Sequence, residues 1–130
     1  MFTDSVSSVM LERAMAAGWQ RAQLITHNIA NQDTPGFMPK RLEFENLLRS
    51  EMQRGAQNSM LSRQDRINRL RGVDPRVHVD DRTTMRADGN NVDRDAEHIE
   101  LARVQLQYQA LRDKINSHFN RLSDAISGGR

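Results

Sequence analysis

Apolar residues recur at helical spacing in two runs, one at each end of the chain, with a polar stretch between them. In the first run, over about residues 5–31, Leu11, Met15, Gly18, Ala22, Ile25 and Ile29 follow one another at alternating steps of four and three. This heptad-like stripe is the pattern of a helix that buries one face. Ala14, Ala17 and Leu24 widen it on one side, and the small side chains let a second helix come close. Asn28, Asn31 and then Thr34-Pro35-Gly36 end the run. Asparagine suits a helix terminus better than a helix interior. Proline biases Thr34 toward an extended conformation, and Pro-Gly fits the two central positions of a type II turn.

The second run begins at the turn "DGNN", residues 88–91, and continues as one long helix. Asp93 is placed to cap it, with Asp95 and Glu97 in the first turn facing the positive end of the helix dipole. Its stripe is Leu101, Val104, Tyr108, Leu111, Ile115, Phe119, Leu122 and Ile126. The successive steps of four at Leu111, Ile115 and Phe119 form a stutter that relaxes a left-handed supercoil. Gly128-Gly129 closes the helix. A second row, Ile99, Ala102, Leu106 and Ala110, is read as lying beside the first. A single partner helix covers a single stripe. The two terminal helices are therefore expected to pair and still leave apolar flanks for neighbouring subunits. Each Leu-sized side chain covered in this way contributes about 1.5–3 kcal/mol.

Between the runs, residues 41–53 ("RLEFENLLRSEMQ") read as a short helix bearing Leu42, Leu47 and Leu48. Beyond Gly55 the chain turns polar and arginine-rich, and Val77 and Val79 alternate over too few residues to define a strand. With few apolar side chains to offset ordering entropy, residues 54–90 are expected to be irregular and to gain order on a partner. The predicted fold is all-α: long N- and C-terminal helices packed as a coiled-coil hairpin, with a polar, largely irregular middle. Residues 1–37 carry the first helix and its Pro-Gly turn, 38–87 the middle, and 88–130 the last helix. The first and last segments together make one helical domain.

Composition narrows this picture. A chain of 130 residues makes one domain. With 37% hydrophobic residues, six aromatics and a mean hydropathy of −0.75, its core is thin. The net charge of +2 is unevenly spread, since residues 40–86 hold 11 Lys/Arg against 7 Asp/Glu. Cysteine is absent, which excludes disulfides and thiolate chemistry. No apolar run reaches the roughly 18 residues of a membrane span. The first residues lack a basic start followed by an unbroken apolar core, so a cleaved secretory leader is not expected.

Little here points to catalysis or ligand binding. His27, His78, His98 and His118 are far apart and lack ligand spacing, so no metal is expected. "DGNNVDRD" departs from a calcium loop at Val92 and Asp93 and reads as a helix-initiating turn. Asp93, Asp95, Glu97 and Glu100 cluster where the helix dipole already accounts for them. Neither a Gly-rich phosphate loop nor a nucleophile elbow is present, and no cofactor is implied. Arg63, Arg66, Arg69 and Arg71 form a candidate phosphate-binding patch. Asp65 and Asp74 interrupt it, and aromatic residues for base stacking are missing nearby. A solvated segment, or one contacting an acidic protein surface, is the preferred reading, and a soluble helical adaptor or nucleic-acid-associated protein using this stretch is the rival class.

The segment "NIANQDTPGF", with a helix before it and a terminal helix entered through "DGNNVD" and carrying "LQYQAL", resembles the bacterial flagellar rod proteins. Within them it is most similar to the proximal-rod FlgB family. Asn28, Ile29, Ala30, Asn31, Thr34, Pro35 and Gly36 match the family signature, and Phe37 stands where Tyr is usual. The sibling family's Tyr-Asp-Pro-Gly-His-Pro-like stretch is represented only by "GVDPRVHVDD". The resemblance covers about residues 5–37 and 86–127 and implies a structural protein without a catalytic site. It implies terminal helices forming a coiled coil that lines a helical tubular assembly in the periplasmic rod of the basal body. It also implies export by the flagellar type III apparatus without a cleaved signal. The implied partners are copies of the chain, other rod proteins, and membrane-ring and adaptor proteins at the rod base; nucleic acid and a direct membrane span are not implied. Asn28 and Asn31 are expected to serve packing or hydrogen bonding between subunits. Leu11, Met15, Ala22, Ile25 and Ile29 are expected to pair with Leu101, Val104, Tyr108, Leu111 and Ile115. Phe119 and Leu122 extend that packing surface.

Overall fold

Ser5 starts the first helix: its hydroxyl accepts a hydrogen bond from the Ser8 amide at 3.0 Å and so caps α1, Val6–Ala30. The computed structural model describes residues 5–81 and 86–128, and α1 is the axis on which they are arranged. After α1 come strand β1 (Lys40–Glu43), helices α2 (Glu45–Gln57) and α3 (Arg63–Arg71), strand β2 (Arg76–Val79) and helix α4 (Arg94–Ser127). The protein is mostly helical, with long terminal helices.

α1 and α4 lie antiparallel. Ser8 Oγ is 3.1 Å from His118 Nε2, Gly18 faces the Tyr108 ring, and Asn28 meets Glu97 at 3.1 Å. At 1.5 Å per residue α4 is about 51 Å long and α1 about 37 Å. The last two turns of α4 therefore run beyond the Ser8–His118 pair. Asp93 caps α4 as expected, accepting from the amides of Asp95 and Ala96, each at 3.1 Å. The helix stops at Gly128, whose amide donates to the Asp124 carbonyl; Gly129 lies outside the described residues.

Among its described residues the middle segment is largely ordered, not irregular; residues 82–85 lie outside the described residues. Lys40–Glu43 and Arg76–Val79 form a two-stranded antiparallel sheet, with Lys40 opposite Val79 and Leu42 opposite Val77. The fold is thus helical with a small sheet added. Leu42 belongs to β1, and α2 begins at Glu45, because Leu42 and Phe44 are both buried at the strand period of two. Val77 and Val79 do lie in a strand, although each is half exposed. Backbone pairing with β1, not burial, defines that strand. Ser62 and Asp65 form a capping box that starts α3.

Two apolar clusters hold the middle against α1. Ala17 packs with Leu42, Phe44 and Val73, with Ala14, Leu24, Leu47 and Leu48 around them. Val9 packs with Ile67 and Leu70, with Val6, Met10 and Leu48 at the edge. The widened side of the α1 stripe is therefore covered by the chain itself and not left for a neighbour. Arg13 reinforces the contact by donating to the Val73 carbonyl and to Asp74 Oδ1 at 2.8 Å, and Arg21 reaches Glu45 Oε2 at 2.6 Å.

Two outcomes follow from this packing. Ile67→Ala should destabilise the whole protein by about 2–5 kcal/mol in urea unfolding, as expected for a buried aliphatic side chain. The hydrogen bond from Arg21 holds the Glu45 carboxyl below its usual value of 4.5. Its contribution is therefore complete above about 4.5 and disappears as pH falls through the lower folded-state value. Glu45→Gln should be modestly less stable than wild type at pH 7, and the difference should close in unfolding curves taken at successively lower pH.

Candidate assembly surface and its motif turn

The sequence motif folds into a knot of three chain segments. Asn31 ends α1; its side chain donates to the His27 carbonyl at 2.8 Å and accepts from the Thr34 hydroxyl at 3.2 Å. The Phe37 amide closes the Thr34–Phe37 turn on the Thr34 carbonyl at 3.2 Å, with Gly36 at φ +71°. This left-handed third position fits the predicted type II turn. Gly89, at φ +75°, sits against it: a Cβ on Gly89 would lie 3.6 Å from Gly36 Cα. The Gly36 amide donates to Asp88, and the Asn91 amide donates to the Phe37 carbonyl, both at 3.0 Å. The Phe37 ring meets His27 edge-on at 5.6 Å.

Asn90 ties the two turns together. It is fully buried, donates from one amide group to the carbonyls of Asn31 (3.0 Å) and Thr34 (2.6 Å), and accepts from the Val92 amide at 2.8 Å. Both hydrogen-bonding ends of its side chain are occupied.

Asn28 does for β1 what a neighbouring strand would do. Its side chain donates to the Lys40 carbonyl and accepts from the Lys40 amide, both at 2.9 Å. The same amide group also donates to Glu97 Oε2. Glu97 Oε1 lies 2.6 Å from Arg41 Nη2, and Arg41 Nε lies 3.4 Å from Asp80 Oδ2. Asn28 and Glu97 are both fully buried. Asn28 therefore makes its hydrogen bonds within the chain, where its side chain is buried. Asn31 is half-buried and hydrogen-bonds within its own turn.

Glu97 lies in the first turn of α4 as expected, and it has a second part there. Its position continues the α4 stripe, four residues before Leu101, so it points inward. A carboxylate at an apolar register position was the available signal, and Arg41, sixteen residues beyond Ile25 in sequence, offered none.

The predicted packing residues divide by burial. Ile25 and Val104 are buried, whereas Leu11, Met15, Ala22, Ile29, Leu101, Tyr108, Leu111 and Ile115 are half-buried. Near one end a groove of about 290 Å³ opens between the helices, lined by Leu11, Met15, Ile115, His118 and Phe119. Phe119, Leu122 and Ile126 are exposed along the end of α4. The second row also differs from expectation. Ile99 is 66% and Leu106 67% exposed, because a two-residue offset from Glu97 or Val104 turns the helix by about 200°. That row faces away from α1, not beside the seam, so α4 is apolar on opposite sides. Trp19 adds a 59% exposed indole on α1.

The other candidates resolve without new chemistry. Arg69 pairs with Glu51 at 3.2 Å, and Asp88 of the calcium-like turn pairs with Arg86 at 3.0 Å. Among the described residues no group of three or more His, Asp or Glu side chains could hold a metal ion, and no helix is long and apolar enough to cross a membrane. Asn28→Ala should strand Glu97 and Lys40 of buried partners, at about 1–3 kcal/mol per group. Chemical denaturation should show that loss, with an unchanged slope against denaturant.

No family model matches the chain. A flagellar basal body rod protein FlgB from Bacillus subtilis is 35% identical over 132 residues, covering 100% of this chain and 98% of that protein. FlgB proteins of the same description from Salmonella typhimurium and Escherichia coli are 29% and 27% identical over 119 residues, covering 85% of each chain. These relatives are named as rod proteins of the flagellar basal body, a structural part and not an enzyme. With the motif turn and paired terminal helices in place, the full-length match shows that the chain belongs to the FlgB family of flagellar basal body rod proteins.

Proposed function

We propose that the protein is a structural subunit of the proximal rod of the flagellar basal body and works by polymerising through its terminal helices. The observation that carries this reading is the two-sided apolar character of α4 in a chain that matches FlgB from end to end. One side of α4 meets α1, and the other presents Ile99 and Leu106. In this reading residues 1–37 and 88–130 are the assembling domain, with α1 and α4 as a coiled coil, and residues 38–87 are a module carried on α1. The outer α4 face of one copy meets a different face of the next, a heterologous contact that builds an open helical array.

Partners are then copies of the chain, other rod proteins, and membrane-ring and adaptor proteins at the base of the rod. Delivery to the periplasmic rod by the flagellar type III apparatus belongs to the same reading, and a basal-body location is supported by the names of the relatives. Nucleic-acid binding through the arginine-rich middle is disfavoured by the Arg69–Glu51 pair and by the named role of the relatives.

Leu106→Glu tests the assembling face. Because the side chain is exposed, stability should change by no more than about 0.5 kcal/mol in thermal melts. Cells carrying it should lack complete basal bodies and fail to swim. Normal swimming would remove the outer α4 face from this reading.

A further inference from the structure

α4 is the longest element, with 34 residues, yet only Glu97 and Val104 in it are buried. Neither apolar cluster includes a residue of α4; both are built from α1 and the middle segment. The inward residues Leu101, Tyr108, Leu111 and Ile115 are only half covered by α1. The enclosed polar contact of this helix with the body of the molecule is Glu97, gripped by Arg41 from β1 and by Asn28 from α1. At the far end of the seam, Ser8 and His118 meet in a part-buried hydrogen bond.

We propose that Glu97 is a latch: it locks α4 onto α1 and β1, and when it is released α4 opens as a single unit while α1 and the middle segment stay folded. The asymmetry of the packing supplies the reason. Removing α4 leaves both apolar clusters intact, whereas disrupting the clusters dissolves the surface on which α4 rests. A charged pair enclosed by protein holds strongly while both partners are present, and loss of one strands the other. The Asn90 staple precedes the latch, so the turn at residues 88–91 remains in place as the pivot. The latch belongs to the isolated chain and does not depend on the rod reading.

Native-state amide hydrogen exchange of the full-length protein at low concentration, read by mass spectrometry, tests the proposal. Glu97→Gln keeps an acceptor for Asn28 but removes the charge facing Arg41. Amides of residues 101–127 should then exchange roughly tenfold faster, as expected for loss of a hydrogen-bonded charge, while those of α1 and α3 keep their wild-type rates. Val104→Ala, which trims the seam without touching the latch, should produce the same regional pattern. Ile67→Ala should accelerate α1, α3 and α4 together. Equal acceleration of α1, α3 and α4 in Glu97→Gln, or unchanged exchange in α4, would overturn the latch.

Discussion

Helix α1 is packed on two sides by different parts of the chain. Val9, Met10, Ala14, Ala17 and Leu24 look toward the middle segment, while Leu11, Met15, Gly18 and Ile25 look toward α4. A helix with apolar residues over so much of its circumference is stabilised by packing on both of these sides. The middle doubles back across one side and the C-terminal helix lies along the other. Arg13 and Arg21 bind Asp74 and Glu45 and tie α1 to the middle segment.

Where α1 ends, polar contacts take over from apolar packing. Asn28, Asn90 and Glu97 are buried, and each has partners within the chain. Buried polar groups that are satisfied in one arrangement are costly in any other, so they specify geometry more sharply than apolar contacts do. The facing glycines Gly36 and Gly89 allow two turns to pass at van der Waals distance. The result is a rigid corner from which α1, β1 and α4 depart in set directions. A subunit of a mechanical structure needs such a corner more than it needs a cavity.

α4 then carries the outward business of the molecule. Its inner side is shared with α1 and its outer side holds Ile99 and Leu106 in water. Large apolar side chains on opposite faces of one helix make a separated monomer incomplete without making it unfolded. The buried apolar clusters thus lie in α1 and the middle, and in the proposed reading association falls mainly to α4. A subunit that must stay soluble before it is built in gains from that separation.

Much of this was legible in the residues. The stripes of both terminal helices, the Asp93 cap, the left-handed Gly36 and the family motif are local features, governed by spacing and backbone chemistry within a few residues. The middle segment was not legible, because its strands exist only by pairing Lys40–Glu43 with Arg76–Val79 across more than thirty intervening residues. Ile67, Leu70 and Val73 looked too sparse for a core until Val9 and Ala17 supplied the other half of it. The roles of Asn28 and Glu97 were also beyond reach, since a polar side chain does not announce its distant partner. Sequence by itself determined the two terminal helices, the turn that ends the first and the cap that starts the last, and the family to which the chain belongs. Tertiary structure alone decided which apolar face is covered and which buried polar groups meet, because both depend on what distant parts of the chain bring to the same place.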